Sequence, residues 1–370
     1  MKILELCLSP DLGGLELYMY RCCDALLRQG NEVVAVINPQ GRLVQYTQPL
    51  TLERRLITHS WRVLPLLNAW RLARLIDERA IDALHVHWGK DLPLAAFAKA
   101  FSKRKPRLVY TRQMQLTRAK HDIYHRFLYG QMDVMVTITR LLERAARERL
   151  PEGDSAKVQT LYYGVKRPAN ALGVTEREAL RNEWGVADNA MVVGLFGRIE
   201  AFKGQHLMLQ ALASDINKEQ NIHLLIVGHA MDKEYLAQLK HSVDELGLSG
   251  RVTFRDFVDN PQRWMQACDV IALTTLEETF GLVLAEAMRA GVAVIGSNSG
   301  GVPEIISHEQ TGLLFTAGDA DALAQQLHRY AVDSDLRKRL AGAGQAYADQ
   351  QFNEVAHFTR LQDIRAGKNR

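Results

Sequence analysis

Residues 270–273, Val-Ile-Ala-Leu, form an apolar run, and five residues after Leu273 comes Glu278-Thr-Phe-Gly-Leu-Val-Leu-Ala-Glu286. The first run has the length and composition of a buried strand. From Gly281 to Ala290 the apolar positions recur at helical spacing. A strand that passes through a short loop into a helix is the unit of a parallel sheet, because parallel neighbours need a crossover connection. The unit repeats in both directions. Strands are expected at 2–8, 32–37, 83–87, 108–111, 134–138 and 158–161, with a helix at 15–29 stopped by Gly30-Asn31. A second set follows at 191–196, 223–227, 252–254, 270–273, 293–296 and 312–315. Strands this apolar are covered on both faces. The fold class is therefore α/β, with two doubly wound, Rossmann-like domains.

The break between the two sets falls at 164–173, where Gly, Pro168 and Ala replace the periodic pattern. Expected domains are 1–167 and 168–353, with a final amphipathic helix, about 354–370, packing back on the first. Ligands of such sheets sit outside the carboxyl ends of the strands. Two sheets facing each other would hold them in a cleft.

The chain has 370 residues, 47% hydrophobic and 24% charged, the balance of a soluble globular protein of two domains. Met1-Lys2 leads directly into a strand, with no signal-peptide pattern, and no apolar run is long enough to span a bilayer. Cys7, Cys22, Cys23 and Cys268 show no metal-ligand or redox spacing and read as reduced thiols of a cytoplasmic protein. Charge is unevenly divided. Up to Arg167 there are 27 Lys and Arg against 16 Asp and Glu; beyond it, 19 against 26. A basic first half suits nucleic acid, an anionic lipid surface or a phosphorylated glycan, or is a solvated surface.

Glu278 lies just before a helix, and Glu286 about two turns inside it. Unpaired N–H groups at Gly281 and its neighbours offer a seat for a diphosphate. Glu286 can accept from two adjacent ribose hydroxyls and Glu278 from hydroxyls of a sugar. Two carboxylates alone could equally be a helix-start acid answering the dipole and a solvated mid-helix acid. The surroundings decide. Downstream come Ala290-Gly-Val-Ala-Val-Ile-Gly296, Ser299-Gly-Gly-Val-Pro-Glu304 and Thr311-Gly-Leu-Leu-Phe315. Upstream comes Gly194-Leu-Phe-Gly-Arg198-Ile, with Lys203-Gly204 five residues after the arginine. This ensemble resembles the retaining glycosyltransferases of family 4, of the GT-B fold, over nearly the whole chain.

The resemblance implies roles. Arg198 and Lys203 match the basic pair that contacts the donor diphosphate and stabilises the departing nucleotide, where negative charge grows on the β-phosphate. Glu278 and Glu286 match the two acids of the E-x7-E motif. Gly197, Phe280, Gly281, Leu282 and Val283 fall in the stretches expected at the donor. Gly13-Gly14-Leu-Glu16 matches the family's GG-x-E pattern and would line the phosphate side, since glycine lets backbone approach a ligand. No cofactor and no metal is expected. Asp319-Ala-Asp321 and Asp333-Ser-Asp335 read as helix caps, and the basic pair supplies the charge a cation would otherwise bring.

On the acceptor side, His85 and His87 end the strand expected at 83–87, and alternation is expected to turn one of them to the sheet's interior. His87 is taken as the ligand-facing one and His85 as structural. His121 and His125, in Lys120-His-Asp-Ile-Tyr-His-Arg126, resemble a basic helix start found in some relatives and are expected at the acceptor. Many relatives have Thr-x-His where this chain has Thr111-Arg112-Gln113. Gln113 can hydrogen-bond a sugar hydroxyl but cannot act as a base.

Arg54, Arg55, Arg62, Arg71, Arg74 and Lys103-Arg104-Lys105 are interleaved with Trp61, Trp70 and Phe101. Basic residues with tryptophans read as a membrane-surface patch, and no nucleic-acid reader motif accompanies them. The expectation is retaining, metal-independent transfer from a nucleotide-sugar, a UDP-sugar for preference, to a saccharide or lipid-linked glycan in lipopolysaccharide or surface polysaccharide synthesis. The enzyme would be cytoplasmic, peripheral on the membrane's inner face, and would not bind nucleic acid. A nucleotide-sugar epimerase or phosphorylase on the same fold is one rival, and a non-catalytic nucleotide-sugar or glycan-binding protein another. A nicotinamide-dependent dehydrogenase would need a Gly-rich fingerprint that is missing.

Overall fold

The computed structural model describes residues 1–58, 63–151, 153–187 and 189–368. They divide into two compact units, Met1–Tyr162 with Val355–Arg370, and Tyr163–Glu354.

The first unit holds seven strands: β1 (Lys2–Cys7), β2 (Glu32–Ile37), β3 (Glu53–Leu56), β4 (Ala83–Val86), β5 (Arg107–Arg112), β6 (Val134–Thr137) and β7 (Val158–Thr160). Their order is β3-β2-β1-β4-β5-β6-β7, all parallel. Alternate residues fill two cores. Leu4, Leu6, Val34, Val36, Leu84 and Val86 pack on one face, and Ile3, Cys7, Val33, Ala35 and Ile37 on the other. The sequence reading missed β3. Its Glu-Arg-Arg-Leu is not apolar because β3 is an edge, where charged side chains discourage pairing with another chain.

The second unit holds six strands: β8 (Met191–Phe196), β9 (Ile222–Val227), β10 (Val252–Arg255), β11 (Val270–Leu273), β12 (Ala293–Ser297) and β13 (Leu313–Phe315). Their order is β10-β9-β8-β11-β12-β13, again parallel. Both sheets are doubly wound, as the alternation of strand and helix implies. Strand order reverses between β1 and β4 in the first and between β8 and β11 in the second, and reversals of this kind leave a crevice at the carboxyl ends.

Local sequence sets the helix ends. Asp319 accepts from Ala322 N at 2.9 Å and Asp333 from Leu336 N at 2.8 Å, each at the start of a helix (Ala320–Val332 and Ser334–Gln351). The final helix, Glu354–Arg365, belongs to the first unit. Its His357 meets the Tyr18 hydroxyl at 2.9 Å, and its Arg365, 1% exposed, reaches Glu5 in β1. All four cysteines are buried free thiols, and burial pushes Cys22 up to about 12. Among the described residues no helix is long and apolar enough to cross a membrane.

Candidate active site

β8 and β11 are neighbours, with Val193 opposite Val270 and Gly194 opposite Ile271. The loops leaving their carboxyl ends therefore meet, although some 75 residues separate Lys203 from Glu278 in the chain. After β8 the backbone turns at Gly197, whose φ of +145° favours glycine. A Cβ on Gly228, at the end of β9, would lie 1.7 Å from the Gly197 carbonyl oxygen, so the two loops touch backbone to backbone. Arg198 is exposed, its Nη2 3.0 Å from Glu200 Oε1. A short turn, Ala201–Lys203, then brings Lys203 to the end of β11, where the Thr274 hydroxyl donates to the Lys203 carbonyl at 2.8 Å. Lys203 Nζ donates to Glu278 Oε2 at 2.9 Å, both side chains 22% exposed. Arg198, Lys203, Gln205 and Thr274 line one small recess.

Glu278 is held by its backbone. Its carbonyl accepts from Gly301 N at 2.7 Å, and a Cβ on Gly300 would lie 1.9 Å from that same oxygen. The Ser-Gly-Gly stretch after β12 thus acts as a backbone cradle for the Glu278 loop. Gly281 (φ +95°) opens the helix Leu282–Arg289. The first-turn N–H groups of such a helix have no carbonyl of their own helix to donate to, and the positive end of its dipole lies there. Glu286 is the fifth residue of this helix, nearer one and a half turns in than the expected two, and is half-buried. Leu282 and Val283 are half-buried. Phe280 needs a correction as a donor contact. Its ring is 2% exposed and packs edge-on against Tyr163 at 5.1 Å and Phe352 at 5.8 Å, so the side chain serves the packing.

In the first unit, Gly13 caps the helix Gly14–Arg28, and its N–H donates to buried Glu16 at 2.8 Å. Gly13 has an extended backbone, and a Cβ on Gly14 would meet nothing within 4 Å. Neither strain nor packing of the protein explains the glycine pair.

The histidine expectation is overturned. Residues two apart share a sheet face, so His85 and His87 point the same way, at 0% and 1% exposure, with ring centroids 4.2 Å apart. Both meet Glu5: His87 Nε2 donates to its carboxylate at 2.5 Å, and His85 Nδ1 lies 3.0 Å from it. Arg365 Nη2 is 2.6 Å from both Glu5 Oε1 and His85 Nδ1. Burial would raise the Glu5 carboxyl, but the Arg365 charge, with the His87 hydrogen bond, outweighs it and holds it well below the usual range. Burial drives His85 down to about 3. It is therefore neutral, accepting from Arg365 at Nδ1 and donating from Nε2 to Thr111 Oγ1 at 2.8 Å. Ligand atoms of Glu5, Cys22, His85 and His87 all lie within 4.8 Å of one another, the spacing of a cation site. The cation there is the Arg365 guanidinium. This cluster was missed, although an acid inside the apolar run Ile3-Leu4-Glu5-Leu6 is a signal for a buried partner.

Gln113 is 8% exposed, and its Nε2 has no partner among the described residues. His121 is exposed. His125 is half-buried and tied to Asp122 Oδ2 at 2.6 Å, the acid that caps its own helix, Ile123–Gly130. A cavity of about 630 Å³ lined by Lys2, Glu32, Glu53 and Arg79 lies at the amino ends of β1 and β2. That is the end opposite the crevice, and its charges pair with each other (Lys2–Glu32 3.2 Å, Arg79–Glu53 2.8 Å), so it is not taken as the site.

The expected basic surface is partly consumed by the fold. Arg54 donates to the Leu50 carbonyl at 2.7 Å, Arg55 pairs with Glu53 and Arg104 with Asp82. Trp61 and Arg62 lie outside the described residues. Phe101 and Lys103 remain exposed, as do Leu66, Leu67 and Trp70 on the helix Leu66–Arg79, where Arg74 sits 5.1 Å over the Trp70 ring and pairs with Glu78 at 3.3 Å.

Residues 176–347 match the family described as Glycosyl transferases group 1, and residues 12–167 match Glycosyltransferase Family 4. The chain is 26% identical to N-acetyl-alpha-D-glucosaminyl L-malate synthase of Bacillus anthracis, over 81% of this chain and 80% of that one. It is 25% identical to a GDP-mannose-dependent alpha-(1-6)-phosphatidylinositol monomannoside mannosyltransferase of Mycobacterium tuberculosis, over 97% and 96%. Among solved structures, HepE of Anabaena in complex with UDP superposes with a TM-score of 0.85 at 24% identity, covering 99% of this chain and 100% of that one. The apo lipopolysaccharide outer core galactosyltransferase WaaB superposes at 0.75 and 17% identity, with 100% of both chains covered. These superpositions establish the fold.

Proposed function

The chain belongs to the family 4 glycosyltransferases of the GT-B fold, and from that premise we propose that it moves a sugar from a UDP-sugar to a saccharide or lipid-linked glycan acceptor, with retention and without a metal ion. The observation that carries the proposal is the meeting of Arg198, Lys203 and Glu278 at the β8/β11 reversal, beside the start of the helix that bears Glu286.

In this reading the diphosphate sits on the N–H groups of Gly281, Leu282 and Val283, with Arg198 and Lys203 turned toward it. Glu286 accepts from the ribose hydroxyls and Glu278 from hydroxyls of the sugar. As the bond from the anomeric carbon to the β-phosphate oxygen breaks, the two cations take up the growing negative charge, the task a metal performs elsewhere. The acceptor hydroxyl adds on the face the phosphate leaves, and the leaving phosphate takes its proton. No side-chain base is then required, which accommodates Gln113 where relatives have histidine. Its buried Nε2, with no partner among the described residues, has a donor to give to a sugar oxygen. Gly13 and Gly14, explained neither by strain nor by packing, fit a backbone kept clear for a ligand.

UDP as the nucleotide is supported by the HepE complex, and a surface-glycan acceptor by WaaB. The relatives that use malate and a phosphatidylinositol mannoside show how widely acceptors vary. A cytoplasmic enzyme held at an anionic inner leaflet is supported by the exposed Leu66, Leu67 and Trp70 beside Arg71 and Arg74.

Thermal stabilisation by a panel of nucleotide-sugars tests the proposal, since a ligand bound to the folded state alone raises the melting point. The true donor should raise it, and Glu286→Ala should abolish the shift, because a charge-assisted hydrogen bond contributes roughly 1.5–3 kcal/mol. No shift with any nucleotide-sugar overturns the donor assignment.

A further inference from the structure

The cations of the candidate site are not waiting free. Lys203 is spent on Glu278 at 2.9 Å, and Arg198 on Glu200 at 3.0 Å. The two pairs differ in environment. Arg198 is 59% exposed, so water screens its pair and little is lost when it turns away. Lys203 and Glu278 are each 22% exposed, and Glu278 is held more firmly than Glu200: its carbonyl is fixed by Gly301 N and crowded by Gly300, and its Oε1 accepts from Thr279 N at 3.1 Å. When Lys203 turns to a diphosphate, Glu278 stays where it is and loses its counter-charge. The half-buried carboxylate then keeps only the Thr279 N–H, 3.1 Å from its Oε1, and is disfavoured unless new donors replace the lysine.

A complete nucleotide-sugar carries those donors, because its sugar hydroxyls reach the carboxylate as the diphosphate takes the lysine. A free nucleoside diphosphate, the product, brings one further negative charge, on the freed β-phosphate oxygen, and no hydroxyl in that position. We propose that Glu278, through its ion pair with Lys203, is a specificity-determining residue that disfavours the free nucleoside diphosphate against the nucleotide-sugar and so hastens product release. The inference rests on the placement of the donor proposed above. It adds a role that a sugar-binding acid alone does not have, since the same carboxylate opposes the nucleotide once the sugar has gone.

The test is titration calorimetry of the full chain with UDP and GDP, and with UDP-glucose and GDP-mannose, for the native protein, Glu278→Gln, Glu278→Ala and Lys203→Met. Thermal melting of each variant confirms folding. Loss of the carboxylate should tighten the favoured nucleoside diphosphate by roughly fivefold, the worth of about 1 kcal/mol. It should weaken the nucleotide-sugar, and in the Lys203→Met background the tightening should vanish. Unchanged or weaker diphosphate binding in both folded Glu278 variants, while the native protein binds its nucleotide, overturns the inference and leaves the proposed function standing. If the native protein binds none of the four, the proposed donor site falls and the inference with it.

Discussion

Gly300 lies against Glu278 so closely that a methyl group on its α-carbon would stand 1.9 Å from the Glu278 carbonyl oxygen. Its φ of +59° adds the requirement for glycine. Gly300→Ala should therefore push the Glu278 loop out of place while the apolar core of the second unit stays intact. A displacement of about 1 Å in a positioned group lowers turnover up to about a hundredfold. The expected outcome is a fall in kcat of that order with a melting temperature only a few degrees lower. Unchanged kcat would show that the cradle does not position Glu278.

Glu5 and Arg365 form an ion pair at 2.6 Å with side-chain exposures of 0% and 1%. Removing one partner of a buried pair leaves an uncompensated charge and destabilises by about 3–5 kcal/mol. Arg365→Met should lower the urea midpoint accordingly. Adding Glu5→Gln should recover part of the loss, the non-additivity expected of groups in contact. Strictly additive losses would contradict the pairing.

Acid should loosen the protein from near neutrality downward. Burial holds His85 and His357 at about 3 in the folded chain, against 6.5 for a free histidine. Below pH 6.5 the unfolded chain therefore binds more protons, so this stability is complete above 6.5 and drains as pH falls toward 3. Glu5, whose folded carboxyl is also depressed, adds a further loss below about 4.5, as pH falls through its folded value. Melting temperatures between about pH 8 and pH 5 should decline from about 6.5, with a shallower slope in His85→Gln. A flat profile would refute the neutral, buried histidines.

If the helix Leu66–Arg79 meets an anionic leaflet, vesicles of phosphatidylglycerol and phosphatidylethanolamine should sediment the protein, and phosphatidylcholine vesicles should not. Each of Arg71→Gln and Arg74→Gln should weaken binding roughly fivefold, for about 1 kcal/mol per basic residue near the surface. Trp70→Ala should weaken it without changing the salt dependence. Binding that ignores all three substitutions places the contact elsewhere.

Twelve of the strands were legible because their runs are mainly apolar, as strands covered on both faces are, with Glu5 in β1 as the exception that a buried partner explains. β3 departs from that pattern at an edge, and its Arg54 and Arg55 were read as surface patch when one is bound to backbone carbonyls and the other to Glu53. The motif glycines and acids of the second unit were visible as strings, but the sequence cannot say that Lys203 touches Glu278. That contact exists because β8 and β11 are sheet neighbours, a fact of topology. His85 and His87 were assigned opposite roles although their spacing puts them on one face. Arg365 lies 360 residues from Glu5, with no local pattern to announce the partnership. Phe280 was credited with ligand contact because of its place in a motif, while its ring serves the packing.

The Glu5–Arg365 pair also imposes an order of events during synthesis. β1 is made first, and its acid, with His85 and His87 beside it, must wait for the helix Glu354–Arg365 to leave the ribosome. Until then the first sheet can form most of its layers but carries at its centre a buried acid whose cation has not arrived, so the nascent first unit is held short of its final stability while the entire second unit is translated. Chains that stop early would keep that defect, and their weakened first unit would mark them for proteolysis.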